Sequence, residues 1–454
     1  MIAEGRVGSR VGGGLSPVAA VALAIAVLGG ASFAWIYGSK LPYGGGPPIR
    51  SDGVGYYIYL PAALLDHDLT MWATIDRSFG GLPPAEQVLQ PVQPTGRLLD
   101  QYGIGEAVMI APFFGVGHVI AIAAGTRRNG FSWPYQAAAA AAGLAYFLLG
   151  IALLGSLLAR WFRPSTVVVT LLAITFGTDA FSYATYDAIF SHAFSFCAIA
   201  LVLRLAVATS ERPAVSNVAG LAAAVGLAML VRPTNLVILV FCGLIGVRSP
   251  RDVVPRARAL AGRLDLVAIG AGVFLLVLLP QFAYFFEITG RVFVNPYTRD
   301  RGYLDLLHPH LRGVLFSVRK GLFFWSPVLV LAAVGLAWLR RTVPFLVVPA
   351  VTYLVVNAWV VSSWSIWWYG GSFGMRPFID ALPVFALGLA ALIETASKRL
   401  VRPAVLTVVA ATTLLSVHLM LAYWHGALDY ENMDLAKYQA AFHQLYFGLH
   451  AIQP

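Results

Sequence analysis

The chain has 454 residues, a length that would make about three ordinary soluble domains, yet 59% of them are hydrophobic, 11% are charged and the mean hydropathy is +0.75. A soluble surface needs roughly 25% charged residues, so the chain reads as a polytopic membrane protein. The formal net charge of +10 does not point to nucleic acid, because no basic block lies beside a segment able to fold as a soluble domain. Cys197 and Cys242 each sit inside an apolar run far from other soft ligands, which excludes a disulfide scaffold and a zinc module.

Spans of roughly 17 to 25 apolar residues are needed to cross a hydrocarbon core of about 30 Å. The first runs over 17–37 behind Arg6 and Arg10, which places the N-terminus in the cytoplasm. Ala31 and Ala34 resemble a signal-peptide cleavage pattern, but the apolar run exceeds the usual core of roughly 7 to 15 residues. A long external segment, 38–133, follows and holds Asp52, Asp66, Asp68, Asp76, Glu86, Asp100 and Glu106. Inside it, 103–124 is apolar and either crosses or dips along the surface. If it does not cross, Arg160, Arg163, Arg204, Arg212, Arg248, Arg251, Arg256, Arg258, Arg263, Arg340, Arg341, Lys398, Arg399 and Arg402 all gather in short cytoplasmic loops; if it crosses, every one of them moves outside. The charge rule therefore favours a dipping helix.

Further spans are predicted at 134–158, 165–180, 190–209, 216–231, 235–247, 264–288, 324–339, 343–361, 377–393 and 403–423, about eleven in all. The chain then divides into a catalytic transmembrane module (1–290, with the loop 38–133), an external donor and acceptor loop (291–323), and C-terminal helices with an external tail (324–454). Loops this long in an otherwise membrane-embedded chain are expected to carry function. No inverted repeat is visible, which counts against a transporter.

Three groups of residues could do chemistry. Asp52 leads the stretch Tyr56, Tyr57, Ile58, Tyr59 and Leu60, a carboxylate at the membrane surface beside a half-buried helix. It is placed either to accept a proton or to cap that helix. The loop between two spans holds Asp179, Asp187, Ser191 and His192, suited to binding substrate hydroxyls or to capping and interfacial anchoring. Cations at the outer face, Arg232, Arg319, Lys320 and Arg376, oppose the positive-inside bias; they suit a lipid-linked phosphate, or simply snorkel at helix ends. Trp364, Trp367, Trp368, Tyr369, Gly370 and Gly371 precede Arg376 and suit a sugar, an isoprenoid or an interfacial belt. No nucleotide-type glycine loop, HExxH or GxSxG is present, which excludes a soluble nucleotide-sugar enzyme.

Taken in order, Asp52 with its tyrosines, Ser191-His192, Arg232-Pro233-Thr234-Asn235, the stretch from Phe316 to Phe323 leading into Phe324-Trp325-Ser326-Pro327, and Gly370-Gly371-Ser372-Phe373-Gly374-Met375-Arg376 resemble the GT-C superfamily of membrane glycosyltransferases. The likeness is to the bacterial relatives of protein O-mannosyltransferases and of the lipid A aminoarabinose transferase, and it spans nearly the whole chain. It implies an all-α polytopic GT-C fold whose long first external loop carries membrane-surface helices. It also implies transfer of a sugar from a polyprenyl-phosphate donor to a lipid, glycan or protein acceptor, usually with inversion. By position Asp52 becomes the general base. Arg232, Arg319, Lys320 and Arg376 become donor-phosphate ligands, and Tyr56, Tyr57, Asp187, His192, Trp364 and Trp368 become sugar or acceptor contacts. Many relatives carry a second acidic residue directly after the first, where this chain has Gly53, so a divalent metal is optional and no cofactor is implied. The isoprenoid is expected near Val314-Leu315-Phe316 and Leu322-Phe323-Phe324. The expected location is the bacterial inner membrane, with the site facing the periplasm or exterior. Two other readings stand beside this one: a polymerase or ligase of lipid-linked glycans, and a transporter or flippase of lipid-linked sugars. Neither the sugar, the acceptor, the lipid length nor the oligomeric state is legible in the sequence.

Overall fold

Proline opens several helices of this chain, because its fixed φ suits a first turn where its missing N–H is not needed. The computed structural model describes residues 16–38, 46–81, 88–297, 302–396 and 399–447; Arg6, Arg10, Glu86 and Lys398 lie outside the described residues. After α1 (Pro17–Gly38) come α2 (Asp52–Pro61), α3 (Trp72–Phe79), a hairpin of β1 (Leu89–Val92) and β2 (Arg97–Asp100), and the apolar α4 (Gly105–Ala123). Next are α5 (Trp133–Leu158) and α6 (Pro164–Phe176), both with proline in the first turn, then α7 (Ala180–Thr185), α8 (His192–Glu211) and α9 (Val215–Val231). α10 (Ile238–Leu244) continues a 3-10 turn at Pro233–Val237, and α11 (Val253–Ala261) leads to α12 (Leu264–Thr289). That helix stops at Gly290, whose φ of 72° supplies the left-handed cap. The chain continues through α13 (Leu311–Phe316), α14 (Leu322–Trp325), α15 (Val328–Thr342), α16 (Val347–Ser362), α17 (Leu382–Thr395), α18 (Val401–Trp424) and α19 (Leu435–Phe447).

Eight helical stretches among the described residues are long and apolar enough to cross a membrane, and shorter apolar helices occupy 164–176, 215–231 and 233–244. Each predicted span corresponds to a helix: α1, α5, α6, α8, α9, α10, α12, α15, α16, α17 and α18. In the most apolar 18-residue window of Arg376–Thr395, 89% of the residues are buried within the protein, against 17% in that of Leu264–Thr289, so α17 is the central helix and α12 faces outward. Lipid gives apolar side chains little reason to associate, so close packing of small residues holds such helices together. α15 and α17 meet this way: a Cβ added at Gly335 would lie 2.1 Å from the Gly388 carbonyl oxygen, and one at Gly388 would lie 2.1 Å from that of Ala332. A larger side chain at either glycine would part the two helices.

Ion pairs define one end of the bundle. Arg160 reaches Glu211 at 2.5 Å and Arg163 reaches Glu394 at 2.6 Å, so the α5–α6 turn and the ends of α8 and α17 share an arginine-rich end. Among the described residues, the other end gathers 46–81 with 88–132, 177–191, 290–297 with 302–327, 363–381 and 425–441. α4 runs antiparallel to the first half of α5. Gly117 packs on Tyr135, and the Tyr146 hydroxyl donates to the Met109 carbonyl at 2.9 Å. The start of α4 packs at Gly105 on the last turn of α9, against Leu230 and Val231. The 19 residues of α4 are long and apolar enough to cross a membrane, and the helix packs between the last turn of α9 and the start of α5.

The fold is all-helical as expected, apart from the short β1–β2 hairpin among the described residues. Leu89 pairs with Asp100 and Val92 with Arg97, and Gly96 at φ 68° closes the turn. Tyr284 of α12 pins it: its hydroxyl accepts from the Asp100 N–H at 2.8 Å and donates to the Leu98 carbonyl at 3.2 Å.

Candidate active site

α2 lies between the hairpin and the 177–191 loop, and two glycines let it approach both. A Cβ on Gly55 would sit 2.4 Å from Val88, and one on Gly53 would sit 3.2 Å from Ile189. A larger side chain at position 53 would press on Ile189. Asp52 lies inside the first turn of α2 rather than at its cap, which is Ser51, a residue with no side-chain cap bond and a left-handed φ of 48°. Its carboxylate Oδ2 accepts a hydrogen bond from Arg376 Nη1 at 3.0 Å.

Arg376 is presented by the strap 370–376. Its Nη2 donates to the Tyr369 carbonyl at 2.9 Å, and its guanidinium lies 5.5 Å from the Phe190 ring. Gly374, at φ 63°, turns the strap over Asp179, whose Oδ2 would lie 2.9 Å from an added Cβ. Burial pushes the Asp179 carboxyl up to about 7, and the nearby Asp380 adds to the effect.

A second layer lies one turn further along both elements. Tyr56, four residues after Asp52 and so on the same face of α2, stacks on Tyr102 at 4.2 Å and accepts from Ser191 Oγ at 3.2 Å. Arg232 Nη1 approaches Ser191 Oγ at 3.5 Å and His192 Nδ1 at 3.0 Å, while Arg232 Nε lies 3.0 Å from Asp380 Oδ2. The turn that carries Arg232 is held by Asn235, whose Nδ2 donates to Ser195 Oγ at 2.7 Å and to the Ala228 carbonyl at 2.9 Å. Asp52, Tyr56, His192, Arg232 and Arg376 thus lie in one cluster.

Other expected site residues are placed differently. Asp187 sits at the edge, paired with Arg50 at 2.8 Å; burial raises its carboxyl, and Arg50 opposes that rise. Tyr57 is not brought to the cluster. It is buried against Phe114 and Phe131, and its hydroxyl donates to the Gly130 carbonyl at 2.6 Å. Arg319 donates to the Glu431 carbonyl at 2.9 Å and lies 3.9 Å from the Trp368 ring centroid, and Trp368 Nε1 donates to Glu431 Oε1 at 3.3 Å. Lys320 donates to the carbonyls of Ser372 and, at 2.6 Å, Tyr430. Both cations therefore tie the strap and its neighbouring loop to the chain after α18. Burial, with the positive charges of Arg376 and Arg319, brings the Lys320 ammonium down to about 7. Trp364 packs over Gly302 and lies 5.1 Å from the Tyr297 ring. Val314 and Leu322 are buried in the bundle, whereas Phe316 is exposed and its ring meets Phe323 at 5.6 Å.

Sequence reasoning missed Asp380, which lies within the predicted span 377–393. The available signal was that a carboxylate inside a span is functional by default. Glu106 was noted only as an acid of the first loop, yet it is fully buried and neither carboxyl oxygen has a hydrogen-bond partner among the described residues. The Arg376 guanidinium contacts Asp52 and the Tyr56 and Tyr102 phenols lie near it, a donor set that suits an anionic ligand. Among the described residues, no three His, Cys, Asp or Glu side chains come together as metal ligands.

No protein-family model and no curated protein matches the sequence. Among solved structures, the chain aligns with the crystal structure of ArnT from Cupriavidus metallidurans in the apo state. The TM-score is 0.43 at 16% identity, over 89% of this chain and 71% of that one.

Proposed function

We propose that this chain is an integral-membrane glycosyltransferase that moves a sugar from a polyprenyl-phosphate donor to a lipid, glycan or protein acceptor. The observation that carries the reading is the Asp52–Arg376 pair, with Arg232 behind it, at the end of the bundle opposite the arginine-rich one. Transfer from a phosphate requires a base for the acceptor hydroxyl and positive charge for the departing phosphate, and this cluster holds both. In the proposed step Asp52 accepts the acceptor proton while the acceptor oxygen forms its bond to the anomeric carbon. The bond from that carbon to the phosphate oxygen breaks, and its electron pair leaves on a phosphate facing Arg376 and Arg232. Attack from the side opposite the leaving group inverts the anomeric centre.

Asp52 is engaged with Arg376 before substrate arrives. A donor phosphate that takes Arg376 as its own partner releases the carboxylate for the acceptor. His192 and Tyr56 line the same cluster and are proposed to contact the sugar. Exposed Phe316 and half-buried Phe323 are proposed to meet the isoprenoid. The cytoplasmic placement of the arginine-rich end, and with it a periplasmic or exterior site, follows from the positive-inside rule. The test is sugar transfer in membranes by Asp52→Asn protein present at wild-type abundance; loss of transfer supports the reading, and normal turnover removes it.

A further inference from the structure

We infer that Asp380 is a positioning residue that fixes Arg232 so that its guanidinium serves the donor phosphate, an inference that rests on the reading above. Arg232 and Arg376 each have one carboxylate partner, but the two pairs differ in access. The Asp380 side chain is 4% exposed and that of Asp52 is 18% exposed. Asp52 stands where an incoming anion can replace it, whereas Asp380 sits behind Arg232 in the bundle, on the turn that leads into α17. Arg376 is therefore built to exchange its counterion and Arg232 to keep it.

The fork of Arg232 shows how both ends are used. Its Nε lies 3.0 Å from Asp380 Oδ2 on the bundle side, while Nη1 lies near Ser191 Oγ and 3.0 Å from His192 Nδ1. Among the described residues, Nη2 has no hydrogen-bond partner, and the side chain remains 16% exposed. The Nε contact with Asp380 is an ion pair without hydrogen-bond geometry, and together with the Nη1 contact to His192 it limits how the planar guanidinium can turn, so its remaining N–H groups keep one direction. That direction is toward the cluster that holds Tyr56, through Ser191. A carboxylate at 380 also compensates the burial of Arg232, which would be costly without it.

The experiment uses the full-length protein purified in detergent, with undecaprenyl phosphate as the binding probe and donor KM and kcat measured separately. Asp380→Asn should weaken probe binding on the order of tenfold or more, as expected when one partner of a buried charge pair is removed. It should raise donor KM more than it lowers kcat, and Asp380→Glu should recover part of the loss. In an Arg232→Ala background, Asp380→Asn should add nothing further. Arg232→Lys is the second variant: its point charge cannot face Asp380 and the phosphate together, so binding should fall by a similar factor even where Asp380→Asn protein does not accumulate. Unchanged binding in Asp380→Asn or Arg232→Lys, or an equal loss with and without Arg232, overturns the inference while leaving the glycosyltransferase reading standing. Absence of probe binding by the wild-type protein removes the donor reading itself, and this inference with it.

Discussion

Arg376 Nη1 stands 3.0 Å from Asp52 Oδ2 although 324 residues separate the two in sequence. The pair joins the first turn of α2 to the strap ahead of α17, and each group is the other's competitor for substrate. Removing either one therefore changes what the other can do.

Asp52→Asn should lower kcat for sugar transfer by roughly 10²- to 10⁴-fold, the usual worth of a positioned base. The same change frees Arg376, so undecaprenyl phosphate should bind at least as tightly as to the wild type. Binding titrations beside single-turnover assays check both halves, and weaker binding in Asp52→Asn would contradict the counterion exchange.

Arg376→Ala should behave in the opposite way, with donor binding lost before any effect on proton transfer is seen. If the chain is instead a ligase that relies on its external arginines, Arg376→Ala will abolish activity while Asp52→Asn retains most of it. Parallel assays of the two variants on the same lipid-linked substrate decide between these outcomes.

Lys320 ties the strap to the chain after α18, and its ammonium titrates near pH 7 because burial and two nearby arginines disfavour the charge. A polyprenyl-phosphate sugar is a diester whose own charge is constant there. Donor affinity should fall by a factor of roughly 3 to 10 as pH rises from about 6 to 8, and Lys320→Met should flatten that profile. The unfolded chain holds the extra proton between about 7 and the ordinary 10.5 while the folded chain does not, so wild-type stability should rise across that window.

Asp100 gives the reverse sign. Burial raises its carboxyl from 3.8 to about 8 in the folded protein. Between those values the folded chain holds a proton that the unfolded chain has lost, so stability should fall as pH rises through the window. Asp100→Asn keeps an acceptor for the Tyr102 N–H and removes the titration. Its Tm at pH 8 should exceed that of the wild type by on the order of a few degrees, with no gain at pH 4.

Gly374→Ala tests the strap. The residue has a φ of 63°, and an added Cβ would lie 2.9 Å from Asp179 Oδ2. A left-handed alanine costs on the order of 1 to 2 kcal/mol, and the strap should shift to relieve the contact. Transfer should drop by about tenfold or more, because misplacing a reacting group costs rate steeply, while the melting profile changes little. Wild-type kcat would show that Arg376 does not depend on this turn.

Much of the architecture was legible because apolar run length and arginine placement are properties of the chain itself: each predicted span has a helix, and the arginine clusters at 160–163 and 340–341 fall at one end of the bundle. The same pattern gave Asp52, Arg232 and Arg376 as candidates, since charged side chains are scarce in such a chain and each one stands out. Their partners were hidden. Asp380 was concealed within an apolar stretch. Arg319 and Lys320 read as free cations because the carbonyls of Glu431, Tyr430 and Ser372 that occupy them carry no side-chain signature. Tyr57 read like its neighbour Tyr56, yet the helical turn between them sends one toward the charged cluster and the other into the aromatic core. The sequence by itself determined which groups were available and roughly at which end of the membrane bundle they lie. Only the tertiary structure decided which charge faces which, because a Coulomb interaction depends on separation and burial, and both arise from contacts between helices hundreds of residues apart.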